Sequence, residues 1–289
     1  MMTMKGKICL ITGGTNGIGR STAHELASKG ATVVIVGRDA RKTSQVVEEI
    51  RRASGNDTVD SLLADLSSQQ EVRRLANEFE TKYSHLDVLL NNAGAVFMQR
   101  QLSVDGIEMT FALNHLASFL LTNLLLDKIK ASAPARIINV SSGAHTSGKI
   151  VFDNLQGELA FSSRAYGNSK LATILFAMEL ARRLEGTGVT ANSLHPGFVS
   201  TGFGKNNPGF LMKVIRAVVP LIARSPEKGA ETSIYLASSP DVQSITGRYF
   251  VDCKLTQPAP LATNTVVARK LWDISAEMVH LADGLPAKT

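Results

Sequence analysis

Lys7 to Thr12 (Lys-Ile-Cys-Leu-Ile-Thr) is a short, almost unbroken apolar run that ends on Gly13-Gly14-Thr15-Asn16-Gly17-Ile18-Gly19. No other stretch restricts the fold as tightly. A run of this length suits a strand buried on both faces, the condition of strands in a parallel sheet. Arg20 to Lys29 then reads as a helix stopped by Gly30, with Ile18, Ala23 and Leu26 turned toward the sheet. Strand, glycine-rich turn and helix N-terminus together make a phosphate cradle. Glycine allows tight turning and close backbone approach, while the free N–H groups and dipole of the helix favour an anion. Between a strand and a helix, the glycines mark a nucleotide site rather than a merely structural turn.

The same alternation continues. Strand patterns at 32–36, 58–64, 87–90, 136–141, 190–194 and 248–251 are separated by helical patterns at 40–53, 68–83, 105–131, 166–184 and 227–238. Such an order predicts an α/β fold of Rossmann type: one doubly wound parallel sheet with helices on both faces, in a single domain over 1–289. Beyond Lys254 a connection with Pro258 and Pro260 leads to one further helix from about Thr265 to Ala282, so 255–289 reads as a C-terminal extension. The Lys and Arg residues behind the formal charge of +6 are scattered, which argues against a nucleic-acid partner and suits a small anion. Two cysteines and six histidines form no disulfide framework and no metal motif. With no apolar leader-like segment and no run of about 18 apolar residues, the expected location is cytoplasmic.

The chemistry-bearing pair is Tyr166 and Lys170 in Tyr-Gly-Asn-Ser-Lys, four apart on one helix face. A lysine beside a tyrosine stabilises the phenolate and is expected to lower its pKa, making the phenol usable as a proton donor or acceptor. Ser141 and Ser142 stand at the C-terminal end of a strand, on the edge where such sheets bind ligands.

The spacing Thr12-Gly13, three residues, Gly17, one residue, Gly19, with Asn91-Asn92-Ala93-Gly94 and Tyr166 to Lys170, resembles the short-chain dehydrogenase/reductase family. Between Ser142 and Tyr166 lie 23 residues, longer than the dozen or so usual in small members. That insertion, Asn114-His115-Leu116, Ser142-Gly143-Ala144-His145 and Gly247 to Cys253 are similar to the retinol dehydrogenase group. The resemblance covers nearly the whole chain and implies about seven parallel strands.

It implies that Gly13, Thr15, Asn16, Gly17, Ile18 and Gly19 hold the dinucleotide phosphates. Asp65 and Leu66 contact the adenine, although Asp65 equally suits a turn cap. Asn92, Ala93 and Gly94 lie against the cofactor, and Pro196, Gly197, Val199 and Thr201 meet the nicotinamide end. At the end of the second strand, where an acid would accept the 2′-hydroxyl of NAD, stand Gly37 and then Arg38, which favours the 2′-phosphate of NADP(H). Asp39 is the competing feature, and its other reading is a helix N-cap.

The implied catalytic set is Asn114, Ser142, Tyr166 and Lys170, with Ser141 the nearest alternative to Ser142. Tyr166 exchanges the proton with the carbonyl oxygen and Ser142 polarises that oxygen. Lys170 also binds the nicotinamide ribose, and Asn114 holds a relay water. His115 reads as a helix-face histidine. The apolar stretch 203–224 is expected to be a substrate lid; a core helix or an interfacial membrane contact are its other readings, the last not favoured. The expected substrate is a lipophilic aldehyde or ketone, retinal-like or long-chain, or its alcohol. A steroid or other ketone, or a non-catalytic NADPH-sensing role, are the alternatives. Helix pairing into a homodimer or homotetramer is also implied.

Overall fold

The computed structural model describes residues 3–161, 164–199 and 223–281. The sheet is built from β1 (Ile8–Thr12), β2 (Thr32–Gly37), β3 (Val59–Leu63), β4 (Val88–Asn91), β5 (Ala135–Val140), β6 (Val189–His195), β7 (Tyr249–Val251) and β8 (Lys254–Leu255). Their spatial order is β3-β2-β1-β4-β5-β6-β7-β8. The first seven are parallel, and β8 folds back antiparallel on β7. The expected seven strands are therefore joined by an eighth. Its two-residue turn, Asp252 and Cys253, has φ of 50° and 60° without a glycine, so the usual hairpin signal is missing.

Every residue of β1 is buried. Its alternate side chains enter two cores: Leu10 packs with Leu75, Phe79, Leu120 and Leu175 on one face, Cys9 and Ile11 with Leu26, Val47 and Leu236 on the other. This double burial is why the run contains no exposed polar position. Helices α1 (Gly17–Ser28), α2 (Ala40–Ser54) and α8 (Pro226–Ser238) cover the second face. The first is covered by α3 (Gln69–Lys82), a helical run over 109–131, α7 (Ala165–Arg183) and the C-terminal helix α9 (Thr265–Met278).

The run over 109–131 departs from the single helix expected from Asp105. Glu108 accepts backbone N–H bonds from Thr110 and Phe111 and so caps a start four residues later. Its segments are α4 (Met109–Phe111), a π-turn (Ala112–Leu116), α5 (Ala117–Leu124) and α6 (Leu126–Ala131). The π-turn contains Asn114 and His115. Among the described residues no helix is long and apolar enough to cross a membrane.

Helix α9 lies on α7 through Trp272, whose ring stacks on Phe176 at 5.8 Å and meets Phe119 edge-on at 4.9 Å. Beside them the fully buried His115 directs Nε2 to Ser275 Oγ at 2.8 Å. The ends of α9 and α3 are tied as well, by Gln69 Nε2 to Met278 O at 3.0 Å and Arg73 to Val279 O.

Candidate active site

Because the strand order reverses between β1 and β4, the loops leaving those two strands part and open a crevice at the sheet's C-terminal edge. Their ends are joined first. Asn92 Nδ2 donates to Thr12 O at 2.8 Å and to Gly13 O at 3.2 Å, while Thr12 Oγ1 accepts from the N–H groups of Asn92 and Ala93. The amide of Asn92 thus ties the ends of the two strands together.

The glycines are required by space. A Cβ on Gly19 would lie 2.4 Å from Gly13 O, and one on Gly13, whose φ is +65°, 3.0 Å from Ala93 Cα. Only a bare backbone closes this loop, and it leaves a cavity of about 610 Å³ open to the N-terminus of α1. A helix N-terminus with close backbone access fits a dinucleotide's phosphates. Gly37 is equally constrained, since a Cβ there would lie 2.2 Å from Thr43 Oγ1 and 2.7 Å from Thr15 Cγ2. An acid at position 37 itself would have to displace the Thr43 and Thr15 side chains. Asp39, the other candidate, is engaged as the cap of α2, accepting from Lys42 N at 2.8 Å. Arg38 remains, exposed at the strand end.

At the other end of the cavity, α7 begins at Ala165 and its first turn presses on the loop after β5. Gly148 and Gly167 meet backbone to backbone: a Cβ on Gly148 would come 2.5 Å from Gly167 O. This close approach brings Ser142 to Tyr166, where its side chain hydrogen-bonds the phenol. The neighbouring Ser141 is engaged elsewhere: its Oγ is buried and donates to Lys170 O at 2.7 Å. Lys170 Nζ donates to Val140 O at 2.8 Å and stands 5.7 Å from the Tyr166 ring centre.

Asn114 is held by Ala95, accepting its N–H at 2.8 Å and donating to its carbonyl at 3.0 Å, and by Ser169 Oγ at 3.0 Å. Its Oδ1 and Lys170 Nζ both close on Gly94, within 3.1 and 3.3 Å of where a Cβ would be. The π-turn delivers it there, as such turns often do at functional sites.

One electrostatic expectation is reversed. Burial pushes the Tyr166 phenol up to about 12, opposed by the Ser142 hydrogen bond, and burial pushes the Lys170 ammonium down to about 8. Desolvation of the two charged forms outweighs any effect of the lysine on the tyrosine.

Of the residues singled out from sequence, Gly13, Asn16, Ile18, Asn92, Ala93 and Gly94 line one end of the cavity, and Ser142, Tyr166, Lys170, Pro196, Gly197 and Val199 the other. Asn114 lies just behind, buried. Asp65 is exposed and accepts from Ser67 N at 3.0 Å and Ser67 Oγ at 2.7 Å, so it caps a turn, while Leu66 is a core residue. Thr201, and the expected lid at 203–224 apart from Ala223 and Arg224, lie outside the described residues. Ser169 and His195 were not among the residues singled out. Ser169 had a signal in its place one turn after Tyr166's neighbour Ala165, whereas the partners of His195 are distant in sequence. Among the described residues no group of three or more His, Cys, Asp or Glu could hold a metal ion.

A family model described as short chain dehydrogenase matches residues 7–209. Human retinol dehydrogenase 11 is 42% identical over 279 residues, covering 96% of this chain and 87% of its own. Mouse retinol dehydrogenase 14 is 45% identical over 291 residues, with the same coverages of 96% and 87%. Among solved structures, an uncharacterized protein from Mycobacterium paratuberculosis superposes with a TM-score of 0.79 at 29% identity, covering 99% of this chain and 97% of that one. The Pseudomonas aeruginosa RhlG/NADP active-site complex superposes with a TM-score of 0.68 at 30% identity, covering 86% and 95%.

Proposed function

The chain belongs to the short chain dehydrogenase family, in its retinol dehydrogenase group, as an oxidoreductase of CH–OH groups that uses a nicotinamide cofactor, and we propose that it interconverts a lipophilic aldehyde or ketone and its alcohol with NADP(H). The observation that carries this reading is the convergence of Ser142, Tyr166 and Lys170 on one cavity whose other end is a glycine phosphate cradle. Retinal-like and long-chain aldehydes are favoured by the kinship with retinol dehydrogenases and by Phe198, a 61%-exposed aromatic ring at the cavity wall. The NADP(H) preference is supported by the crowding of Thr43 and Thr15 around Gly37 and by the exposed Arg38 beside it.

When bound, the nicotinamide supplies or takes up the hydride. The protein handles the proton and the oxygen. Ser142 donates to the carbonyl oxygen, and Tyr166, protonated around neutrality, gives its proton to that oxygen as it becomes an alkoxide. The Lys170 ammonium, facing Asn114 across Gly94, returns a proton toward Tyr166 and is itself reprotonated from solvent through a water held by Asn114.

The two pKa directions set a pH dependence. Reduction needs Tyr166 protonated and Lys170 charged, so it is favoured around neutrality and declines above about pH 8, where Lys170 loses its charge. Alcohol oxidation needs Tyr166 to accept a proton and climbs through the same range. Initial rates in both directions from pH 6 to 10 check this; coincident profiles would contradict it.

The reading itself is tested by NADPH consumption, with NADH in parallel, over retinal, aliphatic and aromatic aldehydes and steroid ketones. Arg38→Ala is expected to weaken NADPH use by about tenfold or more, a lost charge-assisted bond being worth about 1.5–3 kcal/mol, and to leave NADH use unchanged. Equal losses with both cofactors would remove the 2′-phosphate assignment.

A further inference from the structure

The peptide unit that joins Ser142 to Gly143 is gripped from both sides by imidazoles. Its carbonyl, Ser142 O, lies 2.7 Å from His145 Nδ1, and its N–H, on Gly143, donates to His195 Nδ1 at 3.0 Å. Each contact fixes where the ring proton sits. His145 Nε2 accepts from Ala259 N at 3.1 Å, so the single proton of a neutral His145 is on Nδ1, where it is donated to Ser142 O. His195 uses Nδ1 as an acceptor, so its proton is on Nε2. The two rings therefore hold opposite tautomers, and both must be uncharged for all three bonds to persist.

Packing constrains both rings. His145 is buried, and its ring meets Tyr249 of β7 edge-on at 5.1 Å. His195 lies over Gly143, where a Cβ would come 3.2 Å from its Nε2. Around His195, Arg224 and His145 disfavour a positive charge and Asp252 favours one, though Asp252 is already paired with Arg224. The clamp spans three distant parts of the chain: the end of β5, the end of β6 and the segment after β8.

We propose that His145 and His195 are positioning residues which, as two neutral imidazoles of opposite tautomer, lock the Ser142–Gly143 peptide and thereby aim the Ser142 hydroxyl into the reaction centre. This rests on the role of Ser142 in the reading above. A second proton on His195 turns Nδ1 from acceptor to donor against the Gly143 N–H; one on His145 does the same at Nε2 against Ala259. Burial depresses both pKa values below the ordinary 6.5, with Arg224 and His145 adding to the effect on His195. The clamp is thus intact at pH 7 and lost as pH falls through the lowered values, giving kcat an acid limb below about pH 6.5.

The test uses the full chain with NADPH and retinal, together with ring ¹⁵N NMR, which needs no substrate. His195→Leu removes the acceptor; His195→Asn offers Oδ1 in place of Nδ1 and cannot take up a proton. We expect His195→Leu to lower kcat by about ten- to a hundredfold, the cost of a hydrogen bond whose partner is left unsatisfied. His195→Asn should recover most of that loss and flatten the acid limb. The NMR spectrum at pH 7 should show His145 protonated on Nδ1 and His195 on Nε2. Like tautomers, a charged ring at pH 7, or wild-type kcat and acid limb in His195→Leu would overturn the proposal. Ser142→Ala, run alongside, separates the two layers. Full turnover there removes the role of Ser142 and the clamp's purpose with it, whereas lost turnover with His195→Leu unaffected removes only the clamp.

Discussion

Tyr166→Phe is expected to lower turnover by about 10²- to 10⁴-fold, the contribution of a positioned general acid, while NADPH binding stays largely intact. The phenol hydroxyl is the one group lost; the ring that packs at the first turn of α7 remains, and so does Lys170 with its bond to Val140 O. Ser142 cannot substitute, because an aliphatic hydroxyl is far too weak an acid to replace a phenol as the proton donor. Single-turnover rates with NADPH and the best carbonyl from the panel measure the chemical step directly. Turnover within about threefold of wild type would take the proton-donor role away from Tyr166.

Glu179→Ala is expected to cost about 3–5 kcal/mol of stability, the range for breaking a buried ion pair by removing one partner. Glu179 is 2% exposed and accepts from Arg182 at 2.7 and 2.9 Å and from Arg183 at 2.8 Å. Arg183 is itself buried, and its guanidinium lies 4.3 Å from the Trp272 ring centre, so the substitution weakens both the grip on that cation and the seat of α9. Burial alone would raise the Glu179 carboxyl, but the two arginine hydrogen bonds bring it below the ordinary carboxylate range. A depressed folded pKa gives stability that is present above the unfolded value, near 4.5, and is lost as pH falls through the folded one. Urea unfolding at pH 7 should show the loss, and the difference from wild type should shrink as the medium is acidified below pH 4.5. An unchanged midpoint at pH 7 would show the arginines already satisfied by other partners.

The parts of the site that local pattern could announce are those whose partners lie nearby. The β1 run and its glycine loop were legible because double burial and steric closure each leave a residue-level trace: an unbroken apolar run, and glycine where Cβ would strike Gly13 O or Ala93. Tyr166 and Lys170 were legible as a helical pair. That Ser141 is engaged elsewhere, on Lys170 O, could not be read from the residues alone. The π-turn at Asn114 left no periodic trace, since it changes one hydrogen-bond step within an otherwise apolar helix. His145 and His195 were silent for another reason: the bonds from Ala259 to His145 and from Gly143 to His195 join residues 114 and 52 positions apart, a relation no local window contains. Tyr166's raised pKa was similarly out of reach, because desolvation depends on the whole enclosing wall.

The docking of α9 has a bearing on how the protein is made. A chain emerging from the ribosome N-terminus first completes β1 to β6 and both catalytic loops well before Trp272, Ser275 and Ala259 exist to receive Phe119, His115 and His145. During that interval Phe119 of α5, Phe176 of α7 and the arginine-glutamate network of α7 lack the cover of Trp272. Because Ala259 is the partner of His145 Nε2, the clamp on the Ser142–Gly143 peptide is among the last pieces of the molecule to close.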